Sequence, residues 1–119
     1  MAGLVRSVAF AGTIGLAVVA GAAAARSEDL PLEKGMDIAT ARAALFKAGW
    51  EGIKREAAPD KESMTGYVYF ELGATEVVDC AGTGLAPCKF AYKNAEGKNL
   101  TVFTAGEEPV LQDWQFGLQ

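Results

Sequence analysis

Residues 76–92 decide the fold of this chain, and they read EVVDCAGTGLAPCKFAY. Two short runs, 76–79 and 89–92, enclose a loop that contains two glycines and a proline. β-Branched and aromatic runs bounded by such a loop predict two short strands. Cys80 and Cys88 stand at the two ends of the loop, so a bond between them would close the base of a β-hairpin.

The first 25 residues have the three parts of a Sec-type signal peptide. Arg6 precedes an uncharged run whose centre is apolar and whose end consists of four alanines, 22–25. We expect cleavage after Ala24 or Ala25. The alternative is an uncleaved membrane anchor, since the 19 residues from 7 to 25 could just span a bilayer. A run rich in Ala and Gly would make a poor permanent anchor.

The composition excludes several classes of function. The whole chain has 119 residues, 15 acidic and 11 basic side chains, two cysteines and no histidine. Without histidine there is no Ser-His-Asp or Cys-His catalysis, and no metal site that needs imidazole. The net charge of −4 disfavours a nucleic-acid binder, which normally presents a basic face. After removal of residues 1–25, the rest suffices for one small domain.

Cys80 and Cys88 are predicted to form a structural disulfide. Export leads to an oxidising compartment, in which two cysteines pair. A redox pair has two residues between its cysteines, whereas seven separate these. Two thiolates without histidine give too few ligands for a metal. Closing a loop of about nine residues removes chain entropy from the unfolded state, which stabilises the fold by about 2.5 kcal/mol.

Residues 35–50 form the clearest predicted helix. Asp37 is the predicted N-cap, and Arg42 is expected to be solvated. Gly49 can take the left-handed position after the last turn, which lets Trp50 pack back on the helix as in a Schellman ending. Apolar residues recur at helical spacing on one face, and these are Ile38, Ala41, Leu45 and Ala48.

The remaining chain is predicted to be mostly β-structure. We expect a short strand around Ile53, and residues 64–72 favour a strand while leaving a short helix open. Residues 89–104 form the best hairpin, and 94–97 (NAEG) fit a type I turn with glycine at the bulge position. Alternation over 110–116 indicates a last strand.

One helix followed by three to five short strands indicates an α+β domain. We expect a single domain over 36–119, with an N-terminal helix packed on one face of a small antiparallel sheet and one disulfide. Residues 26–35 are expected to be a flexible start. The predicted core contains Ile38, Leu45, Trp50, Phe90, Tyr92, Leu100, Val102 and Trp114.

The chain offers few groups for catalysis. Glu76 with Asp79, and Glu107 with Glu108, are carboxylate pairs of the kind that a hydrolase needs across a cleft. Surface charge is the simpler interpretation of both. No metal or cofactor site is predicted, because the sequence has neither a DxDxDG calcium loop nor a phosphate loop that ends in Gly-Lys-Ser/Thr.

Two segments are candidate binding surfaces. The first is the glycine loop between the cysteines, whose rigid backbone presents free amides to a partner, and the second is the aromatic run 67–70. A plain disulfide-closed turn and an ordinary sheet face are the alternative interpretations. The candidate binding residues are Gly82, Thr83, Gly84, Leu85, Tyr67 and Tyr69.

The stretch 76–90 resembles a motif of small exported (periplasmic) proteins of Gram-negative bacteria, Cys-x-Gly-Thr-Gly…Cys-x-Phe. The segment 41–50, ARAALFKAGW, is similar to the Ala-Arg…Leu…Gly-Trp helix that precedes the motif in those proteins. The similarity covers about 36–106. It implies export and a disulfide, and it transfers no catalytic residue. At the x position after the first cysteine of the motif, serine is expected, and this chain has Ala81 there.

These observations favour a non-enzymatic periplasmic or secreted domain that binds a protein or another component of the cell envelope. A specific form is an inhibitor of an exported hydrolase, because a small acidic protein suits cationic enzymes such as lysozymes through electrostatic steering. We expect no nucleic acid, no cofactor, and membrane contact only through an uncleaved signal segment. The alternative is a small carboxylate-dependent periplasmic hydrolase.

Overall fold

A computed structural model describes residues 29–119 of the chain. The predicted signal peptide, 1–25, lies outside these residues. Pro31–Gln119 form one compact unit. Among the helices of the described part, none has the length and apolar character needed to cross a bilayer.

The unit is dominated by a five-stranded antiparallel sheet. Strands β3 (Cys88–Lys93), β4 (Asn99–Ala105) and β5 (Val110–Phe116) pair in sequence order, and the short strands β1 (Glu51–Gly52) and β2 (Val77–Cys80) share the other edge of β3. The antiparallel sheet and the Cys80–Cys88 disulfide are thus confirmed. Helix α1 (Ile38–Lys47) precedes β1, and helix α2 (Met64–Gly66), continued by a π-helical turn (Tyr67–Glu71), lies between β1 and β2.

The α+β class is confirmed only in part. Helix α1 is not N-terminal, because described residues precede it, and a second helical segment lies between β1 and β2. Backbone hydrogen bonds join Gly35 and Met36 to Leu111 of β5, each at 2.8 Å. Leu32 is buried. The portion of the expected flexible start from Leu32 to Gly35 is therefore held against the domain.

Helix α1 begins and ends as its sequence predicts. The Asp37 carboxylate accepts a hydrogen bond from the backbone N–H of Thr40 at 2.9 Å. Gly49 adopts a φ of 98°, and the backbone N–H groups of Gly49 and Trp50 bond back to carbonyls of the last turn. These are the two hydrogen bonds of a Schellman ending. Ala48, expected on the buried face, is an exposed C-cap instead.

The core lies between α1 and the sheet face that carries Phe90 and Tyr92. Seven of the eight predicted core residues are buried, and the eighth, Trp114, is half-buried. A register shift in the β4–β5 pair places Leu111 opposite the buried Thr104 and leaves Gln112 as an extra residue. Leu111 therefore takes the fully buried position on β5.

Residues 64–72 are helical, so the favoured prediction of a strand is wrong. The Ser63 hydroxyl caps the helix by accepting a hydrogen bond from the backbone N–H of Gly66 at 2.9 Å. A Cβ atom on Gly66 would overlap the carbonyl oxygen of Asp60, so this close approach needs glycine. The cap, and the burial of Val68 that follows, override the β-propensity of the aromatic run.

The outer edge of β5 is polar and irregular. The extra residue, Gln112, interrupts the regular pairing with β4. Beside it, the Asp113 carboxylate accepts a hydrogen bond from the backbone N–H of Trp114 at 2.8 Å. One donor of this strand is therefore occupied by a neighbouring side chain.

Candidate functional site

An open groove of about 630 Å³ lies between α2, the disulfide and the β4–β5 turn. We call it the acidic groove, because among residues 29–119 three of its lining residues are glutamates and none is lysine or arginine. Its local charge is therefore negative. The lining residues are Glu62, Ser63, Met64, Tyr67, Cys80, Gly82, Glu107 and Glu108.

Tyr67 and Glu108 join two walls of the acidic groove. The Tyr67 hydroxyl donates a hydrogen bond to Oε2 of Glu108 at 2.8 Å. This hydrogen bond raises the pKa of Tyr67, and desolvation and the negative charges of Glu108, Glu71 and Glu107 act in the same direction. The phenol therefore stays protonated at neutral pH and remains a hydrogen-bond donor between the two walls.

The loop 81–87 stands beside the acidic groove and is fixed at several points. The disulfide closes its base, and the backbone N–H of Ala81 donates to the carbonyl of Pro87 at 2.9 Å. The carbonyl of Leu85 accepts from the backbone N–H of Gly106 at 2.6 Å, which ties the loop to the β4–β5 turn. The Leu85 side chain nevertheless exposes 78% of its surface.

Ala86 adds local backbone strain to this loop. Its φ is 51°, in the left-handed region that residues with a Cβ rarely adopt. The side chain is buried, so the surrounding fold holds the residue in place. Strain of this kind is found preferentially at functional sites, and here it lies next to the exposed Leu85.

The structure brings together some of the predicted binding residues. Tyr67 and Gly82 line the same groove, whereas Thr83 and Gly84 are exposed in the adjoining loop with Leu85. Tyr69 does not line the groove; it is half-buried, with its ring centre 4.8 Å from that of Phe70. Glu62, Ser63 and Met64 also line the groove and were not among the predicted binding residues; they lie at the start of the helical segment, whose first residue is Met64.

The carboxylate pair Glu76 and Asp79 is divided by the fold. Glu76 is 2% exposed, and its carboxylate accepts hydrogen bonds from Arg42 (2.7 and 3.2 Å) and from the Tyr92 hydroxyl (2.6 Å). Asp79 is exposed and accepts from the hydroxyl of Thr65 at 3.3 Å. Both oxygens of Glu76 are thus engaged inside the domain.

Arg42 was expected to be solvated, and this expectation is wrong. Its side chain is 21% exposed and forms a salt bridge with Glu76. Its Nη2, which donates to Oε1 of Glu76, also donates to the carbonyl of Gly73 at 3.2 Å. Burial of the Glu76 carboxylate requires a nearby cation, which the sequence supplies 34 positions earlier.

For residues 29–119, two further chemical possibilities are a metal site and the second carboxylate pair. In this part of the chain, no group of three or more His, Cys, Asp or Glu side chains is arranged to hold a metal ion. The second carboxylate pair, Glu107 and Glu108, is exposed on the β4–β5 turn and lines the acidic groove.

No protein family matches the chain, and no curated protein or solved structure matches it. The resemblance of residues 36–106 to small exported bacterial proteins therefore stays a prediction. The function has to rest on the geometry of the described residues.

Proposed function

We propose that the chain is a non-enzymatic binding domain of the periplasm or the extracellular space, and that its partner is a cationic exported protein. The observation that most supports this is the acidic groove, in which Glu62, Glu107 and Glu108 surround Tyr67. Carboxylates around a concave surface attract a basic partner, orient it and raise its rate of association.

The adjoining loop supplies an apolar contact beside the charged groove. Leu85 is exposed, and its backbone is held by the disulfide loop and by Gly106. Because the loop is already ordered, binding would cost little conformational entropy. An apolar side chain that enters a pocket of the partner, next to charges that fix the orientation, combines affinity with specificity.

A specific form of the proposal is inhibition of an exported cationic hydrolase such as a lysozyme. A disulfide-closed domain persists in the oxidising compartments where such enzymes act. The acidic groove would contact basic residues at the mouth of the enzyme's cleft, while Leu85 covers part of the cleft. The inhibitor would then act by blocking access of substrate.

The test is a titration of a panel of lysozymes with the disulfide-bonded protein, at low and at high salt. We expect inhibition of at least one enzyme, weaker at high salt because ions screen exposed charges. The variant Glu62→Gln/Glu107→Gln/Glu108→Gln should weaken inhibition at least tenfold, which corresponds to about 1.4 kcal/mol. Leu85→Ser should weaken it without changing its dependence on salt.

A matched control is the variant Glu33→Gln/Glu51→Gln/Glu96→Gln, which changes the net charge equally at exposed positions away from the groove. It should inhibit within about twofold of wild type, because long-range charge contributes little at physiological salt. An equal loss of inhibition in both triple variants would show that net charge, and not the acidic groove, is responsible for the inhibition. No inhibition and no binding across the panel would remove the inhibitor proposal.

The competing proposal is a small carboxylate-dependent hydrolase. The observation that supports it is that Glu107 and Glu108 line the acidic groove. Glu76 is not a candidate for catalysis, because Arg42 and Tyr92 already bind its carboxylate. Acid–base hydrolysis needs two carboxyls with different roles across one cleft. Turnover of cell-wall fragments that is lost in Glu107→Gln or Glu108→Gln would replace the binding proposal with this one.

A further inference from the structure

A second groove, of about 460 Å³, lies on the sheet face turned away from α1. We call it the rear groove. Ala91 and Thr101 line it, and they alternate along β3 and β4 with residues that face the helix. Its volume falls within the range of about 300 to 1,000 Å³ that is usual for small-molecule sites. Within the described range, 29–119, no residue lines both the rear groove and the acidic groove.

The rear groove is mainly apolar. The small side chain of Ala91 on strand β3 leaves room for a ligand at the floor of the groove. Ile53, Val78 and Leu118 also line it, and Val78 and Leu118 are among the exposed large hydrophobic residues of the domain. An unbranched hydrocarbon chain placed here would remove this apolar surface from water.

Arg55 supplies a fixed positive charge to the rear groove. Its Nε donates to the carbonyl of Ala57 at 3.0 Å, and Nη1 donates to the carbonyl of Val78 at 2.5 Å. Both acceptors are neutral, and no acidic side chain among residues 29–119 forms a salt bridge with Arg55. Glu56 also lines the groove, but Lys54 balances its charge. The guanidinium is therefore positioned and not neutralised.

We propose that the rear groove binds a fatty acid, with the acyl chain along the apolar floor and the carboxylate on Arg55. An apolar groove with one positioned guanidinium matches a ligand that has one apolar tail and one anionic head. The planar guanidinium suits a carboxylate because it can donate two parallel hydrogen bonds. This site is separate from the acidic groove, so the inference does not rest on the proposed binding of a cationic protein.

Calorimetric titration of the disulfide-bonded protein with dodecanoate, below its micelle concentration, tests the proposal. We expect saturable binding of one ligand per chain. Arg55→Gln should weaken binding at least tenfold, because the carboxylate loses a charge-assisted hydrogen bond. Lys93→Gln, an exposed lysine on β3 outside the groove, should bind within about twofold of wild type.

Arg55→Gln could also disturb the fold, since it removes two hydrogen bonds to the backbone. A second pair of variants therefore uses the exposed position Val78. Val78→Glu should abolish dodecanoate binding, because the new carboxylate would compete for Arg55, whereas Val78→Lys should retain it. Both substitutions introduce a charged side chain of similar length, so a difference between them reports the charge of the ligand.

Three results would overturn the proposal. The first is an absence of saturable dodecanoate binding, and the second is equal binding by Val78→Glu and Val78→Lys. The third is equal affinity for dodecanol and dodecanoate, which would show that Arg55 does not bind the head. If the protein instead sediments with anionic phospholipid vesicles and does not bind dodecanoate, the rear groove contacts a membrane surface and not a fatty acid.

Discussion

At the scale of single residues, Glu76 connects three parts of the domain. Its carboxylate accepts hydrogen bonds from Arg42 on α1 and from Tyr92 on β3. Gly52 of β1 packs directly against it, and a Cβ atom there would lie 2.8 Å from the Glu76 Cβ. A buried carboxylate is tolerated only with such partners. The cluster of Arg42, Glu76 and Tyr92 therefore specifies how α1 docks on the sheet.

The Tyr92 hydroxyl makes stability depend on pH in the alkaline range. Burial raises the pKa of Tyr92 well above the ordinary 10.0, and the negative charge of Glu76 and the hydrogen bond to it act in the same direction. Above about pH 10, the unfolded chain loses this proton while the folded chain keeps it. The stabilisation that the protonated Tyr92 hydroxyl gives to the folded state is thus complete below pH 10 and is lost as pH rises beyond it.

We therefore predict that Tyr92→Phe flattens the alkaline fall in stability. Urea unfolding at pH 8 and pH 11 should show a smaller decrease in the free energy of unfolding for Tyr92→Phe than for wild type. Tyr69→Phe is the matched control, because Tyr69 has no hydrogen bond to Glu76, and it should behave as wild type. An equal decrease in all three proteins would contradict the assignment.

At the scale of elements, the helical segment 64–71 depends on one glycine. We predict that Gly66→Ala lowers the free energy of unfolding by about 1–3 kcal/mol, the usual cost of forcing an added methyl group into a filled space. The methyl would overlap the backbone of Asp60. Gly82→Ala should be nearly neutral, because open space surrounds Gly82 and its φ is not left-handed. Chemical denaturation of both variants distinguishes the two positions.

The disulfide loop is a second element whose contribution can be measured. Cys80→Ser/Cys88→Ser should lower the free energy of unfolding by about 2.5 kcal/mol, because the unfolded chain regains the entropy of the open loop. It should also speed hydrogen exchange at the Gly106 amide, which donates to Leu85 in the loop. Unchanged exchange at Gly106 would show that the loop keeps its place without the disulfide.

Elements whose boundaries are set by residues close together in the sequence were predicted correctly. The caps of α1 and the 89–104 hairpin each follow from residues within a few positions of one another. In the hairpin turn, Gly97 adopts a φ of 83° and its N–H donates to the carbonyl of Asn94 at 3.0 Å. The segment 64–72 was mispredicted because its aromatic run favours a strand, whereas the cap at Ser63 and the space near Asp60 select a helix.

The candidate site was harder to predict for a related reason. Residues 62–67, 80–82 and 107–108 form the acidic groove only after the sheet has brought them together. Tyr67 and Gly82 were predicted binding residues, and Glu107 and Glu108 were a candidate carboxylate pair. No local pattern in the sequence places them in one site. The rear groove depends likewise on the alternation of Ala91 and Thr101 across paired strands.

At the scale of the whole molecule, the two grooves have opposite charge and share no lining residue in the part of the chain that the structure describes. Sites without common residues usually act additively. We predict that saturation of the rear groove with dodecanoate leaves the inhibition of a responsive lysozyme unchanged within about twofold. Repeating the lysozyme titration with and without dodecanoate measures this. A larger change would show that the two sites are coupled through the sheet.

The polar, irregular edge of β5 has a consequence for the behaviour of many copies of the chain. An open strand edge invites pairing with the edge of another molecule, which is a common route to aggregation. Here Gln112 interrupts the ladder, and the carboxylate of Asp113 already occupies the N–H of Trp114. An incoming strand would find a bulge and a negative charge in place of a free donor. The same bulge that places Leu111 opposite the buried Thr104 thus also discourages edge-to-edge association at high concentration.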